Sequence, residues 1–175
     1  MHARYASAST ILDRFANMGI RAIMMADRST APPIETLAAV ATAARAVMEE
    51  CRSDPGEFIF QKFPRRACGA TCELLGRYFI EILGVDARYV AASRAGRTHA
   101  WLAVGDIIID ITADQFGQAP VIVTRESAWH AEWDAEKGRP PICSQAQWAM
   151  YPLATWRALA KSMEARGFGS TVISR

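Results

Sequence analysis

The chain has 175 residues, enough for one domain to bury its own core without cross-links. Hydrophobic residues make up 51% and charged residues 22%, which excludes an intrinsically disordered chain. A net charge of +2 provides no broad basic field and argues against nucleic acid as a partner.

Taken in chain order, Met1 to Met25 scatters Arg4, Asp13, Arg14 and Arg21 among its apolar residues. It therefore lacks the apolar core of a secretory signal. Ser7 to Met25 places Ile11, Leu12, Phe15, Met18 and Ile20 at near-helical spacing, with Gly19 as its weak point. Pro32 and Pro33 open a second helix, Ile34 to Cys51, whose alanines favour the helical state. Its longest weakly polar stretch, Ile34 to Met48, is broken by Glu35 and Arg45, so no membrane span is expected. Ser53-Asp54-Pro55-Gly56 is a stop and a turn. A loop, Glu57 to Ala67, carries Phe58, Phe60, Phe63 and Pro64. A third helix, Cys68 to Leu83, repeats Leu74, Leu75, Tyr78, Phe79 and Ile82 on one face, and Gly84 ends it.

From Ala87 the apolar period changes to two. Ala87 to Ala92, Thr98 to Val104, Ile107 to Thr112 and Val121 to Thr124 read as short strands separated by turn residues. Asp134 to Pro141 is polar, contains Gly138, Pro140 and Pro141, and reads as a loop. Leu153 to Arg166 reads as a final helix and Gly167 to Arg175 as a tail. Helices followed by an antiparallel meander and a last helix give an α+β pattern rather than alternating βαβ units. The expectation is a single domain over 1–175: a helical part (1–56), a helix and sheet (57–125), and a C-terminal loop and helix (126–175).

The chemistry concentrates in Thr98 to Thr112. Gly105-Asp106 between two apolar runs is a two-residue hairpin turn, with Gly105 supplying positive φ. Val104 then pairs with Ile107, Trp101 faces Asp110, and His99 faces Thr112, all four side chains of the last two pairs lying on one surface. His99 and Asp110 become diagonal neighbours, roughly 7–8 Å apart at Cα. A carboxylate accepting the Nδ1 proton would fix the imidazole tautomer and leave Nε2 as a base. Burying Asp110 among isoleucines is costly unless His99 pairs with it. No serine sits in a G-x-S-x-G elbow. Cys68 does open a helix, behind Phe63-Pro64-Arg65-Arg66-Ala67, where the macrodipole and free N–H groups favour a thiolate. A thiolate beside an imidazolium is an activated nucleophile for acyl chemistry.

These residues resemble the transglutaminase-like branch of the papain-like cysteine enzymes. The resemblance rests on Cys68-Gly69, on Thr98-His99-Ala100-Trp101, and on Asp110 in Ile109-Asp110-Ile111-Thr112. It runs from about Phe58 to Thr124, somewhat over a third of the chain. The stretch from His99 to Phe116 also resembles the His-Asp hairpin of uncharacterised bacterial papain-fold proteins, and lasso-peptide leader peptidases show His-Ala-Trp on a similar strand. The resemblance implies a papain-like α+β fold, a Cys68-His99-Asp110 triad and a thioester intermediate. It leaves peptidase, deamidase, acyltransferase and transglutaminase activities open. An oxyanion hole is then expected from the Cys68 backbone N–H and, as in papain-like relatives, an upstream glutamine, here Gln61.

Trp101, Gln115 and His130 are expected as cleft-lining residues, although His130 also reads as a rim residue and the tryptophans as core. Asp114 is a fallback acid. Cys72 shares a helix face with Cys68 and reads as core packing, with a redox partner or the nucleophile itself as its functional alternatives. Cys51, Cys68, Cys72 and Cys143 are too few and wrongly spaced for a disulfide framework. A cytoplasmic protein is expected, or an effector exported without a classical signal. The expected substrate is a peptide, protein or small amide or acyl compound, with no cofactor, nucleic acid or membrane. The competing readings are a zinc site of Cys68, Cys72 and His99, or an inactive interaction module of the same fold.

Overall fold

A computed structural model describes residues 32–53, 59–142 and 153–168. The expected helix over Ser7 to Met25, together with Phe58, Cys143 and Trp148, lies outside the described residues. The elements are α1 (Ile34–Glu50), α2 (Cys68–Glu81), β1 (Ala87–Arg94), β2 (Arg97–Val104), β3 (Ile107–Asp110), β4 (Ile122–Thr124), a short α3 (Ala128–Ala131), β5 (Asp134–Ala135) and α4 (Leu153–Met163). The architecture is α+β, with helices ahead of an antiparallel five-stranded sheet in the order β4-β3-β2-β1-β5.

Helix α1 starts directly after Pro33, whose φ of −53° and missing N–H cost nothing at a helix entrance. It buries Leu37, Val40, Ala41, Ala44, Val47 and Met48, a stripe of helical period. Helix α2 is buried almost all round, from Thr71 to Phe79, because it runs through the centre of the molecule. One contiguous core joins α1, α2 and α4 to Ala100, Leu102, Val104, Ile107 and Ile109 of the sheet. The opposite sheet face carries a second, mainly aromatic cluster: Val90, Ala92, Trp101 and Trp133, with Phe116 and Trp129 against them. Among the described residues no helix is long and apolar enough to cross a membrane.

The β1–β2 and β2–β3 hairpins set the registers. In the second, Val104 pairs with Ile107 and Leu102 with Ile109, the expected pairing. Gly105 alone has positive φ there (58°), as the first central position of a II′ turn requires. Strand β3 ends at Asp110, two residues before the expected limit, because the chain then winds into a 3-10 turn, Ala113–Phe116. The expected loop Asp134 to Pro141 is corrected more substantially. Its first two residues form β5, paired with Ala92 and Ser93, and Arg139 bridges to Tyr89 through a reciprocal pair of backbone hydrogen bonds. Its backbone polar groups are satisfied by the open edge of β1, which no local pattern in a polar, Gly/Pro-bearing segment advertises.

Candidate active site

The hairpin register determines where His99 and Asp110 meet. The β2–β3 ladder ends at Leu102 and Ile109, and Asp110 pairs on its other side with Ile122 of β4. Beyond that point, among the described residues, β2 pairs with β1 alone. His99 is 3% exposed and Asp110 1%. His99 Nε2 lies 2.6 Å from Asp110 Oδ2, so the ring and the acid do share one surface. The ring is boxed by Trp101, Phe116, Trp129 and Trp133, with centroid separations of 4.9–5.8 Å. The expected ring orientation is reversed: the acid takes Nε2 rather than Nδ1. A diagonal pair needs the longer reach of the distal nitrogen, whereas Nδ1 stays close to the His99 backbone.

Asp110 is the most heavily hydrogen-bonded carboxylate of the site. Its Oδ1 accepts from the backbone N–H and hydroxyl of Thr112, at 2.8 and 3.1 Å. Its Oδ2 is shared by His99 and by His130 Nε2, the latter at 3.2 Å. His130 is therefore a buried partner of the acid, 3% exposed, rather than a rim residue. Ser127 caps α3 by accepting from the His130 backbone N–H and lies 2.7 Å from His130 Nδ1. A hydroxyl that donates to Nδ1 leaves Nε2–H to donate to Asp110. The one sequence cue was Ser127 three residues before His130, a capping pattern too common to single out that ring. Burial opposes the charge on Asp110, but hydrogen bonds from His130, His99 and Thr112 outweigh it and hold the carboxyl at about 2.

Cys68 is half-buried at the first residue of α2, whose N-cap, Ala67, offers no side-chain cap. The first-turn N–H groups, including its own, therefore gain no acceptor from the N-cap residue. Cys68 and His99 line the same cavity of about 480 Å³, together with Gly69, Tyr89, Thr98 and Glu136 among others. His99 Nδ1 is buried and without a well-formed hydrogen bond, yet the Cys68 sulfur interacts with the ring closely enough to strengthen its hold on a proton. Burial disfavours the charged ring; hydrogen bonds to Asp110 and Cys68, and their negative charge, more than offset it and bring His99 to about 9. The ring accordingly holds its proton more tightly than an ordinary imidazole. Cys72, one turn along, is buried, and burial pushes its thiol well above its ordinary value. It packs in the core, as its position suggested.

Other expected residues fall elsewhere. Gln61 is exposed and does not line the cavity, because the 61–66 turns carry it to the surface before α2 begins. Trp101 and His130 sit behind His99, packed edge to face with ring centroids 4.8 Å apart, and neither lines the cavity. Gln115 is also absent from the wall; it donates to Thr112 O at 3.0 Å and accepts from the backbone N–H of Arg66 at 3.3 Å. It clips the segment entering α2 to the segment leaving β3. Asp114 is far from an acid role, being held bidentately by Arg45 at 2.8 and 2.9 Å.

The expected zinc set of Cys68, Cys72 and His99 is not the metal-capable group. Among the described residues that group is His99, Asp110 and His130, with ligand atoms within 4.8 Å of one another. Both rings direct Nε2 at a single oxygen, and a 2.6 Å contact is tighter than the roughly 3.3 Å between ligands of a tetrahedral zinc. A proton fits between these atoms and a metal ion does not.

Comparison with known protein families, with curated proteins and with solved structures returns no match.

Proposed function

We propose that this protein is a cysteine-nucleophile hydrolase or acyltransferase acting on an amide or other acyl bond through Cys68, His99 and Asp110. One observation carries the reading: a thiol at the first residue of a helix and an imidazole, itself hydrogen-bonded to a buried carboxylate, line one cavity. That combination is the physical requirement for covalent acyl transfer. The Cys68 thiolate attacks the carbonyl carbon. His99 gives the Nδ1 proton to the leaving amine as the carbonyl re-forms, producing a thioester. His99 then accepts a proton from water or an incoming amine, which releases the acyl group. Asp110 holds the ring in orientation and balances its charge. A papain-like or transglutaminase-like member remains the specific form proposed, on the strength of the motif around Cys68 and the His99–Asp110 hairpin.

The test is alkylation of the full chain by iodoacetamide at pH 7, located by peptide mass spectrometry. Cys68 should react at least tenfold faster than a free surface thiol, and His99→Gln should abolish the advantage. Labelling at the rate of an ordinary thiol, or insensitivity to His99→Gln in a folded variant, sinks the proposal and leaves an inactive binding module.

A further inference from the structure

The expected second oxyanion donor, Gln61, is not in the cavity, and the wall offers a different group. We propose that the hydroxyl of Tyr89 is the side-chain donor that, with the backbone N–H of Cys68, binds the oxyanion formed during attack by Cys68. This inference rests on the acyl-transfer reading above and goes beyond it.

Four observations converge on Tyr89. It lines the same cavity as Cys68 and His99. Its hydroxyl lies on the first turn of α2: a Cβ built on Gly69 would be 3.2 Å from Tyr89 Oη. A Cβ next to the nucleophile would crowd the phenol by a few tenths of an ångström, so glycine there eases this close approach. None of the hydrogen bonds among the described residues uses that hydroxyl, so its proton is available to a substrate atom. The ring is also held in place. Arg139 stacks over it at 4.0 Å from the centroid, its backbone exchanges two hydrogen bonds with that of Tyr89, and its guanidinium is anchored by Glu73 at 2.5 Å. A fixed donor pays little reorganisation when charge develops on a carbonyl oxygen. Burial, reinforced by Cys72 and Cys68, raises the phenol above its ordinary range, so it remains a donor throughout neutral and mildly alkaline pH.

The step balances without a co-reactant. The sulfur lone pair forms the C–S bond as the carbonyl π pair moves to oxygen, where Tyr89 O–H and Cys68 N–H donate to it without transferring a proton. The pair then returns and expels the leaving group, leaving the thioester.

Tyr89→Phe keeps the ring, its stacking on Arg139 and the backbone pairing, and removes only the donor. The experiment compares two reactions of Cys68 in the wild type and this variant. With p-nitrophenyl acetate the sulfur passes through an oxyanion; with iodoacetamide it displaces iodide and no oxyanion forms. Tyr89→Phe should slow formation of the acetyl-Cys68 adduct roughly 100-fold while changing alkylation less than twofold. Equal acetylation rates in the two proteins overturn the inference alone. An equal fall in both reactions also overturns it, since Tyr89 would then act on the thiol. A wild type that alkylates rapidly at Cys68 but never acetylates there overturns the acyl-transfer reading as well.

Discussion

Asp110 shows how a costly residue is kept in a sheet interior. Four donors meet its two oxygens, and two of them are histidines from different elements, β2 and α3. Among the described residues, the titratable groups that face this pair are Cys68, beside His99, and Cys72 and His130, beside Asp110. The signs of the two shifts set the pH response. His99 is raised from 6.5 to about 9, so its stabilisation is complete below pH 6.5 and is lost as pH rises through about 9. Asp110 is lowered from 3.8 to about 2, so its stabilisation is complete above 3.8 and is lost as pH falls through about 2. The two shifts share the His99–Asp110 contact, so they are not additive; His130 and Thr112 add to the lowering of Asp110 and Cys68 to the raising of His99. Thermal unfolding monitored against pH should show a plateau between about pH 4 and 7 that declines on both sides. His99→Gln should flatten the alkaline decline, and His130→Phe, which removes one donor from the acid, should shift the acid decline to higher pH. An alkaline limb that persists unchanged in His99→Gln contradicts this assignment. The His99–Asp110 pairing itself was legible from residue spacing, because Gly105 set the register. Which ring nitrogen the acid takes was not, because that depends on side-chain reach across the sheet.

At the level of elements, the cavity is made by three pieces brought against one another: the start of α2, the ends of β1 and β2, and β5. The segment after β5 is tied to α2 at two points. Glu73, 1% exposed, accepts from Arg139 and from the Ile142 backbone N–H, and Gly76 faces Pro141. A Cβ at Gly76 would lie 2.4 Å from Pro141 Cγ, and a proline ring cannot swing aside. Gly76→Ala should therefore destabilise the protein by about 1–3 kcal/mol despite alanine's better helix propensity. Denaturant unfolding measures it, and a gain in stability is the outcome that excludes this packing. Helix α2 and the three longer strands were readable because their apolar period matched their geometry. Strand β5 was invisible for a physical reason: two exposed residues have no period, and their pairing is dictated by the edge of β1.

Across the whole molecule, Arg45 joins the helical layer to the sheet. It is 8% exposed, donates to Ile111 O at 2.8 Å and to Pro120 O at 3.2 Å, and pairs with both Asp114 and Glu49. Its target segment directly follows Asp110, so α1 helps fix the position of the acid. Arg45→Met should cost about 3 kcal/mol, since a partly buried carboxylate and two carbonyls lose their donor. In chemical unfolding the midpoint should fall accordingly, and an unchanged midpoint would show that the network contributes nothing. By itself the sequence determined the α+β order, the hairpin register, and a cysteine at a helix start, because each follows from local periodicity and turn chemistry. Only the tertiary structure decided that His130 shares the acid, that Gln61 stays outside the cavity, and that Tyr89 stands over Gly69. Those relations join residues far apart in the chain, and they exist only once helix, sheet and edge strand have packed.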